Sequence, residues 1–174
     1  HAADKDLTFS SQSYEWGECK VDGSTTTLTP KVRYICLKAR EISLKEGETD
    51  ASKWKTTRIE YEYDGYGNNT LTKIHGLKDV EGDERFFKKT FITPDNPNDP
   101  DVNKRWFLNK LQKVEFCEKE AGPCASRETF YDGEAYKGLP AGELVRGNIT
   151  RESAKASSDG KVIDLYRYAY DEFG

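Results

Sequence analysis

The sequence predicts an all-β chain: antiparallel hairpins in a meander of twisted sheet, with at most one or two short helices. Three observations predict it. The dominant hydrophobic period is two. In TRIEYEYD, Thr57, Ile59, Tyr61 and Tyr63 fall on one side of an extended chain and Arg58, Glu60 and Glu62 on the other, as in a strand with one wet face. The separators between such runs carry turn chemistry, among them DGYGNN, EGDE, EAGP, YDGEAYKGLPAG and SSDGK. Helical periodicity is thin throughout.

Taken in order, residues 1–56 form a β-rich segment without an assignable motif, with strands expected at 25–29 and 32–40. His1-Ala2 reads as a tag remnant and is excluded from site reasoning. DASKWK, from Asp50, is long enough for a helical turn, with Asp50 near its N-cap. Strand 57–63 opens the second part, 57–174, followed by strands at 70–75 and 85–92. The Pro/Asn/Asp-rich stretch 94–103 is the longest loop and a division between halves. DVNKRWFLNKL, from Asp101, offers a second helical turn or two. Strands at 110–118, 127–131, 144–151 and 161–170 complete the meander. The two parts are expected to form one compact unit.

Bulk properties narrow the function classes. A chain of 174 residues is long enough for one domain with a real core. The net charge of −4 argues against a general nucleic-acid binder, which needs a basic face to displace counterions. No apolar run approaches the roughly 18–20 residues that span a bilayer. Met is absent, which suggests an excised or processed segment. The four cysteines, Cys19, Cys36, Cys117 and Cys124, have neither a C-x-x-C pair nor a histidine at zinc-ligand spacing, so no metal site is expected. Cys117 and Cys124 flank the turn-rich EKEAGP and are placed to face each other across a hairpin. Two disulfides in an oxidising compartment and four reduced, packed thiols both fit the sequence.

One unit occurs twice. Tyr61-x-Tyr63-Asp64-x-x-Gly67-Asn68 matches Tyr168-x-Tyr170-Asp171-x-x-Gly174, offset by 107 residues (171 − 64). Alternate tyrosines lie on one strand face and cover neighbouring strands with stiff rings. The aspartate then leaves the strand and accepts backbone N–H groups two residues on, and the glycine supplies the positive φ of a tight hairpin. A second segment, TFYDGEAYKGLPAGELVRGNITR, combines Tyr131-Asp132-Gly133 with Gly138-Leu139-Pro140, Gly147 and Arg151.

These motifs, over roughly residues 57–76 and 101–174, resemble the YD-repeat (Rhs) family, in particular the shell-forming part of insecticidal toxin complex B components and SpvB-like toxin proteins. DVNKRWFLNKLQKVEF is similar to the aromatic–leucine–strand unit between such repeats. The resemblance implies a non-enzymatic structural segment of a secreted or cell-surface bacterial protein, contributing β-strands to a shell that encloses a toxic polypeptide. Its partners would be the rest of its own larger chain, with other toxin subunits or surface glycans as further candidates. YRYAYDEFG at 166–174 ends on a turn without a returning strand, which suggests a piece of a larger protein with unpaired sheet edges. The sequence departs from the family in having two widely spaced copies and four cysteines, and a carbohydrate- or protein-binding surface module is the alternative.

Chemical readings of individual residues are weaker. His75 lacks a nucleophile elbow such as G-x-S-x-G and is expected to be a hydrogen-bonded, turn-proximal histidine. Glu60-Tyr61-Glu62 spells the E-x-E of ADP-ribosyltransferases, but no arginine precedes the Ser24–Thr26 segment. Asp99-Pro100 lacks the Asp-Pro-x-Gly-Leu signature of self-cleaving shells. The loop from Asp99 has Lys104 and Lys110 where an EF-hand needs glycine and glutamate. The sequons at Asn68 and Asn148 matter only in a glycosylating host. No catalytic residue and no cofactor is therefore expected. Trp16 and Trp54 are candidate glycan-stacking aromatics, with Trp106 a further contributor.

Overall fold

The computed structural model describes residues 9–19, 34–78, 80–92, 107–156 and 160–171. They form nine strands: β1 (Ser10–Cys19), β2 (Tyr34–Leu44), β3 (Lys55–Tyr63), β4 (Asn69–Leu77), β5 (Arg85–Ile92), β6 (Lys110–Cys117), β7 (Cys124–Tyr131), β8 (Ile149–Lys155) and β9 (Val162–Arg167). All belong to one sheet in the order of the chain, β1 to β9, and every neighbouring pair is antiparallel. The ladder from β2 to β3 runs unbroken past residue 57.

Several sequence expectations are corrected. β1 lies where no strand was expected, because SSQSYEWGEC is polar on both sides and pairs through its backbone. The strand expected at 144–151 starts only at Ile149, since 144–148 is a loop in which the N–H groups of Val145, Arg146, Gly147 and Asn148 are held by Asp132. DASKWK contributes one 3-10 turn, Ala51–Lys53, capped by Asp50 through the Ser52 N–H at 3.0 Å. No helix forms from Phe107 on: residues 108–109 are a turn leading directly into β6. The strand expected at 25–29, the Ser24–Thr26 segment, the loop 94–103 with Asp99-Pro100, residues 101–106 with Trp106, and Gly174 lie outside the described residues.

Directly opposed residues share a face of the sheet. One transverse row runs Tyr61, Thr72, Phe87, Phe116, Ala125 across β3 to β7. Phe87 and Phe116 meet edge to face at 5.3 Å in that row. A row on the opposite face runs Glu62, Leu71, Lys88, Glu115, Ser126, Lys155. The substantial strand contacts are all between sequence neighbours, so among the described residues no second layer covers either face. Burial is correspondingly local. Phe86 and Cys117 lie opposite each other in the ladder, Cys19 and Cys36 close one hairpin, and Thr129, Tyr131, Thr150 and Ser153 pack within β7 and β8.

Two disulfides join adjacent strands. Cys19–Cys36 ties β1 to β2, and Cys117–Cys124 ties β6 to β7 at a directly opposed pair.

Candidate functional site

An up-and-down meander sends every odd strand the same way. The turns after β3 and β7 and the chain leaving β9 therefore share one end of the sheet, and both tyrosine–aspartate units and the Gly-Leu-Pro segment lie along it.

The first unit builds the β3–β4 turn. Asp64 Oδ1 accepts the N–H groups of Tyr66 and Asn68, both at 2.9 Å, and its Oδ2 accepts Asn68 Nδ2 at 2.9 Å. The Asp64 N–H donates to the Asn68 carbonyl at 3.0 Å. Gly67 sits at φ +86°, a left-handed conformation costly for residues with a Cβ. Asn68 Nδ2 also reaches the Leu108 carbonyl at 2.5 Å, linking this turn to the start of β6. Tyr63 meets Tyr34 edge to face at 6.3 Å, and burial, then the neighbouring Tyr34 and Tyr61, raise its phenol pKa.

The Tyr131-Asp132-Gly133 turn works over a longer span. Asp132 Oδ2 accepts the N–H groups of Val145, Arg146 and Gly147 at 2.7, 2.8 and 2.9 Å, and Oδ1 accepts that of Asn148 at 3.0 Å. Burial pushes this carboxyl up, but the four donors together outweigh burial and hold its pKa below the usual value. Thr150 Oγ1 donates to the Asp132 carbonyl at 2.9 Å, and Tyr131 OH donates to the Leu111 carbonyl at 2.8 Å. The Leu139 N–H, beside Pro140, donates to the Tyr131 carbonyl at 2.8 Å. Gly138 is required by close approach: a Cβ there would lie 2.7 Å from Phe130 Cβ.

The second tyrosine–aspartate unit runs alongside this loop. The Tyr168 N–H donates to the Thr150 carbonyl, the Tyr136 N–H donates to the Tyr168 carbonyl, and Tyr170 OH donates to the Ile149 carbonyl at 2.6 Å. A cleft of about 420 Å³ lies between them, with Arg146, Asn148, Tyr168, Tyr170 and Asp171 in its walls. The tyrosines were expected to be cross-strand packing. Tyr61 and Tyr63 are half-buried, but Tyr168 and Tyr170 are 38% and 46% exposed. β9 ends at Arg167 and no described strand lies beyond it, so these rings lack an outer neighbour. Tyr166 stacks on Tyr168 with centroids 6.3 Å apart.

The candidate glycan aromatics divide. Trp54 is occupied: its Nε1–H donates to the Glu48 carbonyl at 3.0 Å and Lys45 Nζ lies 4.1 Å from its ring centroid. Trp16 is 62% exposed.

Away from the motif end, the wet face of β3 anchors an ionic network that sequence reading missed. Arg58 contacts Glu60, Glu15 and Glu41 at 2.8, 2.9 and 3.3 Å, and Glu60 also contacts His75 Nε2 at 2.9 Å. The five side chains span β1 to β4. Arg58 first, then His75, holds the Glu60 carboxyl below its ordinary range. The network accounts for His75 and for Glu60, the first glutamate of the E-x-E, as a cross-strand tie. Among the described residues no three His, Cys, Asp or Glu side chains converge as a metal set, and no helix is long and apolar enough to cross a membrane. The chain matches no family model, no curated protein and no solved structure.

Proposed function

We propose that this chain is a non-enzymatic β-scaffold segment of a secreted YD-repeat-type toxin protein, supplying wall to a shell that encloses a toxic polypeptide. The observation that carries the reading is how the motif residues spend their polar groups. Asp64, Asp132, Tyr131 and Tyr170 bond the backbone of their own turn or of an adjacent strand, and Asn68 reaches across to the turn before β6. They act as clasps along one rim of a single-layer sheet. Such a sheet, open on both faces among the described residues, suits a wall better than an isolated globule. The two disulfides fit an oxidising compartment.

A second reading, a surface module binding carbohydrate or protein, is favoured by one observation: Tyr166, Tyr168 and Tyr170 are exposed beside the polar 132–148 loop. The mass and peptide map of the natural gene product separate the two. A much longer chain with further Y-x-Y-D-x-x-G copies beyond Gly174 is the expected result. A native product ending near Gly174 would overturn the scaffold reading and leave the module.

A further inference from the structure

In the first hairpin a lysine is turned toward a disulfide. Across the β1–β2 ladder the register steps from Glu15–Ala39 to Trp16–Leu37, which leaves Lys38 as the extra residue of a bulge. A bulge re-aims the side chain it carries. Beside it stands Gly17, where a Cβ would lie 3.0 Å from Lys38 Cγ, so the lysine stem crosses a position without a side chain. The stem ends with Nζ donating to Cys19 Sγ at 3.1 Å. Among the described residues this is the one hydrogen bond of that ammonium, and no carboxylate pairs with it.

The two sulfurs of the Cys19–Cys36 bridge are therefore unlike. Cys36 Sγ lies 3.6 Å from the Gly17 carbonyl oxygen, an acceptor that suits a protonated thiol. Cys19 Sγ faces an ammonium, which suits a thiolate. Both cysteines are buried, where such an attraction is weakly screened. The other polar neighbours leave it intact. Tyr34 lies opposite Cys19 and meets Tyr63 of β3, Arg40 is bonded to Gln12, and Glu18, between Gly17 and Cys19, alternates to the other face. The second bridge lacks this asymmetry. Among the described residues no cation bonds Cys117 or Cys124, and Cys124 Sγ lies 3.4 Å from the Gly122 carbonyl oxygen.

We propose that Cys19–Cys36 is a thiol-exchange site, opened in one direction by a small monothiol of the glutathione class. The thiol gives its proton to water and its sulfur attacks Cys36 Sγ. A new S–S bond forms there as the Cys19–Cys36 bond breaks, and the bonding pair leaves on Cys19 as a thiolate held by the Lys38 ammonium. The incoming sulfur is oxidised and the Cys19 sulfur reduced. A thiol of lower pKa leaves faster, and as a thiolate it is the weaker nucleophile for reclosure. The product carries a mixed disulfide on Cys36, and β1 is untied from β2 while Cys117–Cys124 stays closed. The reagent reaches buried Cys36 through local opening, so the exchange is slow. The site goes beyond the scaffold reading and is independent of whether the chain is a wall or a surface module.

Peptide mapping of the 174-residue chain after incubation with glutathione and an acid quench tests the direction. The expected adduct is on Cys36, with Cys19 free. Cys36→Ser, which leaves Cys19 as a thiol beside Lys38, tests the cause. Its alkylation by iodoacetamide should rise with a pH midpoint of about 7.5 or below, against about 8.5 for an ordinary thiol. Adding Lys38→Met to Cys36→Ser should return the midpoint to about 8.5. Cys36 in a Cys19→Ser chain should show no lowered midpoint. Should Lys38→Met fail to fold, the contrast between the two serine variants decides. An adduct on Cys19, no adduct, a Cys19 midpoint at or above the ordinary value, or a lowered midpoint that survives in folded Lys38→Met would each overturn the proposal.

Discussion

Asp132 combines two demands that few residues meet together. Its φ of +49° places it in the left-handed region, where aspartate and asparagine are tolerated better than most side chains. Its carboxylate gathers four N–H groups from residues 145–148. Asp132→Ala leaves those donors without their anion and adds backbone strain, so a loss of about 2–3 kcal/mol is expected in chemical denaturation. Asp132→Asn keeps the backbone preference and one acceptor and should lose less. An Asp132→Ala protein as stable as wild type would show that the loop holds itself. The folded pKa is depressed, so the contribution is fully present above the ordinary carboxylate pKa of about 4 and is lost as pH falls through the lower folded value. The wild-type advantage over Asp132→Ala should therefore shrink below about pH 4. Sequence reading found the local half of such chemistry. Asp64 bonds N–H groups two and four residues on, within the reach of an Asx turn. The partners of Asp132 lie 13 to 16 residues away, across a loop no local pattern closes.

At the scale of the strand and hairpin, period-two patterning read well where one face is apolar and a turn bounds both ends. Arg85–Ile92 coincides with its expected limits, and in β3 Arg58 and Glu60 share one face, as the alternation predicted. It failed for β1, whose polar residues carry no hydrophobic period, and at the start of β8, where a glycine-rich loop reads like a strand. The Cys117–Cys124 pair was legible across its short hairpin, whereas Cys19 and Cys36 were not, because spacing alone left them without a shared hairpin. The structure makes each disulfide a staple across neighbouring strands, closing sequence separations of 17 and 7 residues. Chain-entropy arguments give these loops about 3 and about 2.5 kcal/mol respectively. Reduction should thus lower unfolding stability by about 5 kcal/mol in total, enough to unfold a marginal sheet. Denaturation with and without reductant, beside a thiol titration of the unreduced chain, measures this. An unchanged midpoint, or free thiols before reduction, would rule out the staples.

For the whole molecule, the absence of a covering layer among the described residues sets the stability profile. A sandwich buries the inner faces of two sheets. Here apolar residues such as Phe87 and Phe116 on one face and Phe86 on the other cover only adjacent strands. Unfolding then exposes less new surface than in a compact domain of equal length. The urea m value should fall toward the lower end of the roughly 1–3 kcal/mol/M range of small proteins. Cooperativity should resemble that of a repeat array, in which each strand is stabilised mainly by its two neighbours. Native-state hydrogen exchange is expected to reveal this as a gradient. The slowest amides should lie in β6 to β8, where Cys117, Thr129, Tyr131, Thr150 and Ser153 are buried. Protection should weaken through β4 and β3 toward β1, with the Cys19–Cys36 staple and the Arg58 network retarding that loss, and through β9 at the opposite edge. Uniform protection that disappears in one cooperative step would mean that something covers the sheet.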